Sequence, residues 1–281
     1  MLSRLMLVMG VAPVLAPTLG GFVLTVTDWR GVFWLLAGIG VVLTVIVVAF
    51  MRETLPVERR SPLGLRSTLR TYGILLRDRS LVGLVLTGGL VMAGLFSYIA
   101  GSSFVLQDVY GLSPQEYGLL FGANSVGLIV ATQLNARLVR RFEPQHILTA
   151  ALSVATAGAL ALVLAAVTGA FGVLGIVAPL FVLLSMVGLS MPNIPGLALA
   201  RHGRSAGTTA ALLGATNFGV GALSAPVVGA LGTATAVPMA AVMLVSATAA
   251  LLVFVLVARP HRMPAFERDA VVDHAAPAHA G

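Results

Sequence analysis

Eight apolar stretches divide the chain, at about 4–27, 31–51, 80–106, 114–136, 146–168, 172–198, 207–231 and 236–258. Each is close to or longer than the ~20 residues that an α-helix needs to cross the hydrocarbon core of a bilayer. Charged residues collect in the gaps. If the chain crosses at every stretch, Arg4, Arg52, Arg59, Arg60, Arg66, Arg70, Arg77, Arg79, Arg137, Arg140, Arg141, Arg201, Arg204, Arg259, Arg262 and Arg268 share one side. Arg30 alone falls on the other. So one-sided a split of the 17 basic residues, all of them arginine, marks the crowded side as cytoplasmic. The pattern predicts an all-α, polytopic membrane bundle of about eight helices with both termini cytoplasmic.

Composition agrees with that reading and removes others. With 58% hydrophobic and 10% charged residues, the chain has too little polar surface to cover a water-soluble fold. The stretches are too long and too evenly apolar for barrel strands, which run about 9–11 residues and alternate in polarity. The net charge of +7 is spread over loops as a topology signal that meets anionic headgroups, so no nucleic-acid partner is expected. There is no cysteine, hence no disulfide or thiolate site. Neither a glycine-rich phosphate loop nor a zinc-helix motif occurs, and no acidic residue or histidine stands in the middle of a stretch. No catalytic residue, cofactor or metal site is expected. The first stretch imitates a signal peptide, but it is long, holds two prolines and lacks a small-residue cleavage site, so it reads as a retained helix.

The long connection falls between the second and third stretches. It divides the chain into two helices over 1–52, a cytoplasmic linker over 53–79, six helices over 80–258 and a polar, disordered tail over 259–281. Within the linker, Ser61-Pro62 reads as an N-cap with proline at the first helical position. Leu65, Leu69, Tyr72 and Leu76 then recur on one helical face, which suits an amphipathic helix at the interface; a plain connector is the alternative.

The first stretch carries Gly10, Ala12, Pro13, Ala16, Pro17, Gly20 and Gly21. Two prolines bend a membrane helix, and small residues four apart admit a neighbouring backbone. The run from Gly10 to Gly21 resembles the antiporter motif in the fifth helix of major facilitator drug exporters. Asp28-Trp29-Arg30-Gly31-Val32-Phe33-Trp34 and Glu53-Thr54-Leu55 resemble the start and end of that family's sixth helix. Ser97 to Gln107, continued by Val109-Tyr110-Gly111-Leu112-Ser113-Pro114, is similar to the seventh-to-eighth helix region of the Bcr/CflA branch. His202-Gly203-Arg204-Ser205-Ala206-Gly207, followed by Ala210 to Gly214, resembles its ten-to-eleven loop. Ala12 and Ala16 stand where the broader motif favours glycine, and both remain small.

The resemblance implies a proton-coupled drug:proton antiporter that exports small, often amphiphilic molecules across the inner membrane by alternating access. Its partners would be the lipid bilayer, the substrate and protons, with no obligate protein partner evident. It also implies that Met1 stands where the family's fifth helix begins, without the first four helices and the membrane carboxylate they carry. On that reading the chain is the last two helices of one bundle and the whole of the next. A non-transporting membrane fragment is the rival reading. A passive pore would need a ring of charge that the sequence lacks. Leu119 to Asn124 and Leu212 to Asn217 echo one another, as the three-plus-three repeat of such a half requires.

Polar residues at membrane depth normally face protein or a water-filled cavity. Gly94, Tyr98 and Ser102 follow one face; Asn124, Gly127 and Asn135 follow a second, with Gln133 off it; Asn217, Gly221 and Ser224 follow a third. Tyr98, Ser102, Asn124 and Asn217 are the substrate-cavity candidates, with helix–helix packing as the alternative role. Pro192, Asn193 and Pro195, near a helix end, are gate candidates or a simple kink.

Overall fold

A computed structural model of the chain describes residues 20, 22–51, 65–202, 205–232 and 234–262, the side chains of 65–68 excepted. The chain divides into two compact units, Met1–Ser67 and Thr68–Gly281. In the first unit, helix α1 spans Trp29–Phe50 and is apolar round its whole circumference. Its start is set by Asp28, whose carboxylate accepts the amide N–H of Gly31, satisfying one of the donors a helix leaves open. The Arg30 guanidinium lies 4.3 Å over the Trp29 ring, an arrangement suited to a helix end at a membrane surface.

Helix α2, Leu65–Leu75, leads into a bundle of six: α3 Arg79–Ser103, α4 Pro114–Leu138, α5 Pro144–Thr168, α6 Gly172–Arg201, α7 Ala206–Leu231 and α8 Val237–Val253. Two end in π-turns, Phe104–Val109 after α3 and Phe254–Ala258 after α8. Seven helices among the described residues are long and apolar enough to cross a membrane, each matching an apolar stretch of the sequence. Most of the stretch at 4–27 lies outside the described residues, as do Ser61, Pro62 and the tail beyond Arg262.

Local sequence chemistry fixes the helix ends. Asp78 caps α3 through the N–H groups of Ser80 and Leu81. Ser113 and Glu116 form a capping box before α4, with Pro114 just inside. Gly169 takes the left-handed conformation that ends α5, and α6 begins three residues later.

Inside the bundle α3 packs chiefly on α7 and α8, while α6 packs on α5 and α4. The core has two contiguous parts. One gathers Leu81, Leu84, Leu148, Leu197 and Phe254, and the other Tyr98, Leu162, Ile176, Leu180 and Met239. Between apolar helices in lipid the hydrophobic effect gives little discrimination, so small residues that permit close backbone approach set the contacts. A Cβ on Gly188 of α6 would run into the Leu128 carbonyl of α4, and one on Gly83 of α3 into the backbone of Ala258. Large apolar side chains such as Leu119, Leu164, Leu174, Leu223 and Val245 point outward, as the lipid-facing surface of a bundle requires.

The linker helix exists, but its packing face differs from the one its leucine spacing predicts. Leu75 is 2% exposed and joins the core, whereas Leu69 is 60% and Leu76 55% exposed. Leu76 lies past the last helical residue, in the turn to Asp78, so α2 meets the bundle one position earlier than the heptad-like spacing suggests. Tyr72 is half-buried.

Candidate substrate site

The sequence candidates on α3 and α4 come together. The buried faces of the two helices carry Tyr98 and Ser102 on α3, and Asn124, Gly127, Ala131 and Asn135 on α4. The Asn124 amide Nδ2 donates to the Tyr98 hydroxyl at 3.1 Å, and both residues are almost fully enclosed, at 1% and 2% exposed. The Tyr98 ring stacks on Phe121, with centroids 5.6 Å apart and planes 15° from parallel. Tyr117 tilts against the same Phe121 ring at 5.9 Å and its hydroxyl meets Ser102 Oγ at 3.2 Å. Asn124 Oδ1 is buried without a hydrogen-bond partner. The result is an aromatic stack flanked by a phenol, a hydroxyl and an amide acceptor. Such a set can grip an amphiphilic molecule by its ring face while its polar edge finds hydrogen bonds.

Tyr117 and Phe121 are members that polarity alone does not single out. Their signal is spacing: Tyr117, Phe121 and Asn124 stand at i, i+4 and i+7, on one face of α4.

Asn217 stands apart from this cluster. It is half-buried on α7, and its Oδ1 lies where a side chain on Gly88 of α3 would be, 2.6 Å from that glycine's hypothetical Cβ. Gly88 therefore makes room for the amide, and Asn217 Oδ1 also has no partner. Its neighbours Gly221 and Ser224 are buried, and the Ser224 hydroxyl bonds back to the Gly221 carbonyl.

The gate candidates lie in an unbroken helix. Helix α6 runs through Pro179, Pro192 and Pro195 to Arg201. Pro192 cannot donate to the Gly188 carbonyl. The Thr132 hydroxyl of α4 reaches that carbonyl instead, at 3.1 Å, while also bonding Leu128 O. Asn193 Nδ2 donates to Asn135 Oδ1 and to Leu189 O, both at 2.7 Å. The proline region is thus tied to α4 at two successive turns. Of the antiporter-motif residues, Gly20 is helical; Gly10, Pro13, Ala16, Pro17 and Gly21 lie outside the described residues.

Every described carboxylate sits at a helix end or connection: Asp28, Asp78, Asp108, Glu116 and Glu143. The described spans therefore hold no acid at membrane depth.

The family model of the Major Facilitator Superfamily matches residues 1–226. The chain belongs to this superfamily. It is a multi-pass membrane protein of a family of transporters, and not an enzyme. It is 36% identical over 255 residues to YdgK, an uncharacterized MFS-type transporter of Bacillus subtilis, covering 90% of this chain and 63% of the relative. It is 29% identical over 244 residues to a bicyclomycin resistance protein homolog of Haemophilus influenzae, covering 85% and 60%. With the multidrug transporter MdfA of Escherichia coli it shares 29% identity over 208 residues, covering 73% and 50%. The chain thus spans about 60% of the length of the first two of these relatives.

Proposed function

We propose that the chain supplies the second-bundle wall of a proton-coupled drug exporter of the Bcr/CflA type. It works by alternating access in the bacterial inner membrane, with both termini cytoplasmic. The observation that carries this reading is the cluster of buried Tyr98, Ser102 and Asn124 with half-buried Tyr117 and Phe121 between α3 and α4. Ring stacking with few directed hydrogen bonds favours amphiphilic molecules of varied shape over one exact substrate. The names of two relatives, bicyclomycin resistance protein homolog and multidrug transporter, support drug export.

Asn217 contributes from α7 as the helices part, since its acceptor is already unpaired. Among the described spans no carboxylate can carry a proton, so the proton site belongs to the other bundle.

The alternative is a membrane fragment that carries nothing by itself, a reading favoured by the 63% and 60% shares of the relatives' lengths. One experiment separates the two. Residues 1–281 are expressed in cells alone, and also joined to the first four helices of the Bacillus subtilis relative. Efflux of a fluorescent amphiphilic cation is followed with and without an uncoupler. Uncoupler-sensitive efflux from the joined protein and none from the 281 residues supports the second-bundle reading. No efflux from a well-expressed joined protein supports the fragment.

A further inference from the structure

At the arginine-rich end of the bundle, α3, α6 and α8 close around a cleft of about 180 Å³, several times the ~30 Å³ share of one water. Its lining is Arg79, Ser80, Arg201, Val257, Ala258 and Arg259. Three arginines from three different helix ends line one space, and the lining holds no carboxylate. Among the described residues none of the three has an acid within ion-pair distance.

Asp78, next to Arg79 in the chain, is already engaged. One oxygen of Asp78 caps the N–H groups of Ser80 and Leu81, and the other lies 3.2 Å from His202 Nε2. Arg201 is held in place by its Nη1, which donates to Ser80 Oγ at 2.8 Å, while Ser80 donates on to the Ala258 carbonyl at 3.2 Å. Arg259 is half-buried in the left-handed conformation, with φ 53°, and its Nε is tied to Leu256 O at 3.2 Å, leaving the two Nη groups of its fork unbonded. Arginines that only mark topology need no common cleft, and those that only complement helix C-termini need no partner from the start of α3.

We propose that this cleft binds a phosphate-bearing anion, with the headgroup of an anionic phospholipid as the favoured source. Guanidinium forks match phosphate oxygens in pairs, and the three lie at the ends of spans, at the level where headgroups are found. The glycerol phosphate enters beside Ser80, and its acyl chains run down the apolar outside of the bundle. Bound there, the lipid clamps the end of α3 to the ends of α6 and α8.

The test uses the purified full chain in neutral detergent. Retained lipid is counted by native mass spectrometry after incubation with phosphatidylglycerol or with phosphatidylcholine. The chain is expected to retain phosphatidylglycerol and not phosphatidylcholine, and to release it as salt rises. Arg79→Gln, Arg201→Gln and Arg259→Gln should each weaken retention about fivefold. A control with Arg137, Arg140 and Arg141 all changed to Gln removes charge at the same end and should leave retention nearly unchanged. Arg79 is exposed and its side chain has no hydrogen bond or ion pair among the described residues, so Arg79→Gln keeps the test valid if another variant misfolds. Equal retention of the two lipids by the unaltered chain, or equal losses in cleft and control variants, overturns the proposal. Inorganic phosphate is the second arm: displacement of the lipid by millimolar phosphate assigns the cleft to the free anion, and lipid retention in its presence assigns it to the headgroup.

Discussion

The Thr132 hydroxyl on α4 lies 3.1 Å from the Gly188 carbonyl on α6, the group that Pro192 deprives of its helical donor. A carbonyl that one residue leaves without its helical donor is thereby served by a hydroxyl 56 positions before it in the chain. Thr132→Val keeps the shape of the side chain and removes the donor. It should cost about 1 kcal/mol, within the range for interhelical hydrogen bonds in membranes. In a Pro192→Ala background, where an amide N–H is again available, the same change should cost much less. Unfolding in mixed detergent measures both. Equal costs in the two backgrounds would show that Thr132 does not serve the proline.

Gly188 also predicts a steric effect. An alanine there places its Cβ against the Leu128 carbonyl, which is main chain and cannot rotate away. Gly188→Ala should lower the yield of folded protein sharply. Gly94→Ala, with open space at its Cβ, should leave it unchanged or slightly higher. Size-exclusion profiles of fluorescent fusions compare the two, and a similar profile for both would mean that α4 and α6 are not closely apposed.

Tyr98 and Asn124 should behave as a pair. Tyr98→Phe removes the acceptor of the Asn124 amide and strands it, costing about 1–2 kcal/mol. Adding Asn124→Leu removes the stranded group and should recover part of that loss. Thermal unfolding of the two variants decides it: a double variant less stable than Tyr98→Phe by the full cost of Asn124→Leu alone would mean the side chains are uncoupled. In a protein joined to a first bundle, Tyr98→Ala should alter which dyes are exported while expression stays near normal.

The cysteine-free sequence offers a direct topology measurement. Single cysteines at Ser61, Ser113 and Ala275 should react differently with an impermeant thiol reagent added to intact cells. Only position 113 is expected to be labelled, from the arginine distribution. Labelling at 61 would reverse the orientation.

The seven described spans were legible because lipid demands length and apolarity, whereas the caps at Asp78, Ser113 and Gly169 emerge only in the structure. The polar stripe of Asn124, Gly127 and Asn135 was legible as well, since a helix hides polar groups along one face; Ala131 completes it in the structure. What periodicity could not provide was partnership. Nothing local to Pro192 points to Thr132, and nothing near Asn217 points to Gly88, because those contacts join residues far apart in the chain. The α2 face was misplaced for a related reason. Leucine spacing shows which side of a helix is apolar, whereas Leu75 is buried because the chain turns into α3 beside it.

The π-turn at Phe104–Val109 has a consequence of its own. Such a turn is wider than an α-turn and takes in one residue more. Tyr98 and Ser102, before the turn, keep a bearing set by the packed helix. Gln107, Asp108 and Tyr110 take theirs from the turn. A single-codon deletion within it would remove that extra residue and tighten the turn, changing the segment that follows while leaving the inner tyrosine where it is. Rim and interior can therefore vary separately among descendants of this sequence, with one insertion or deletion as the step between them.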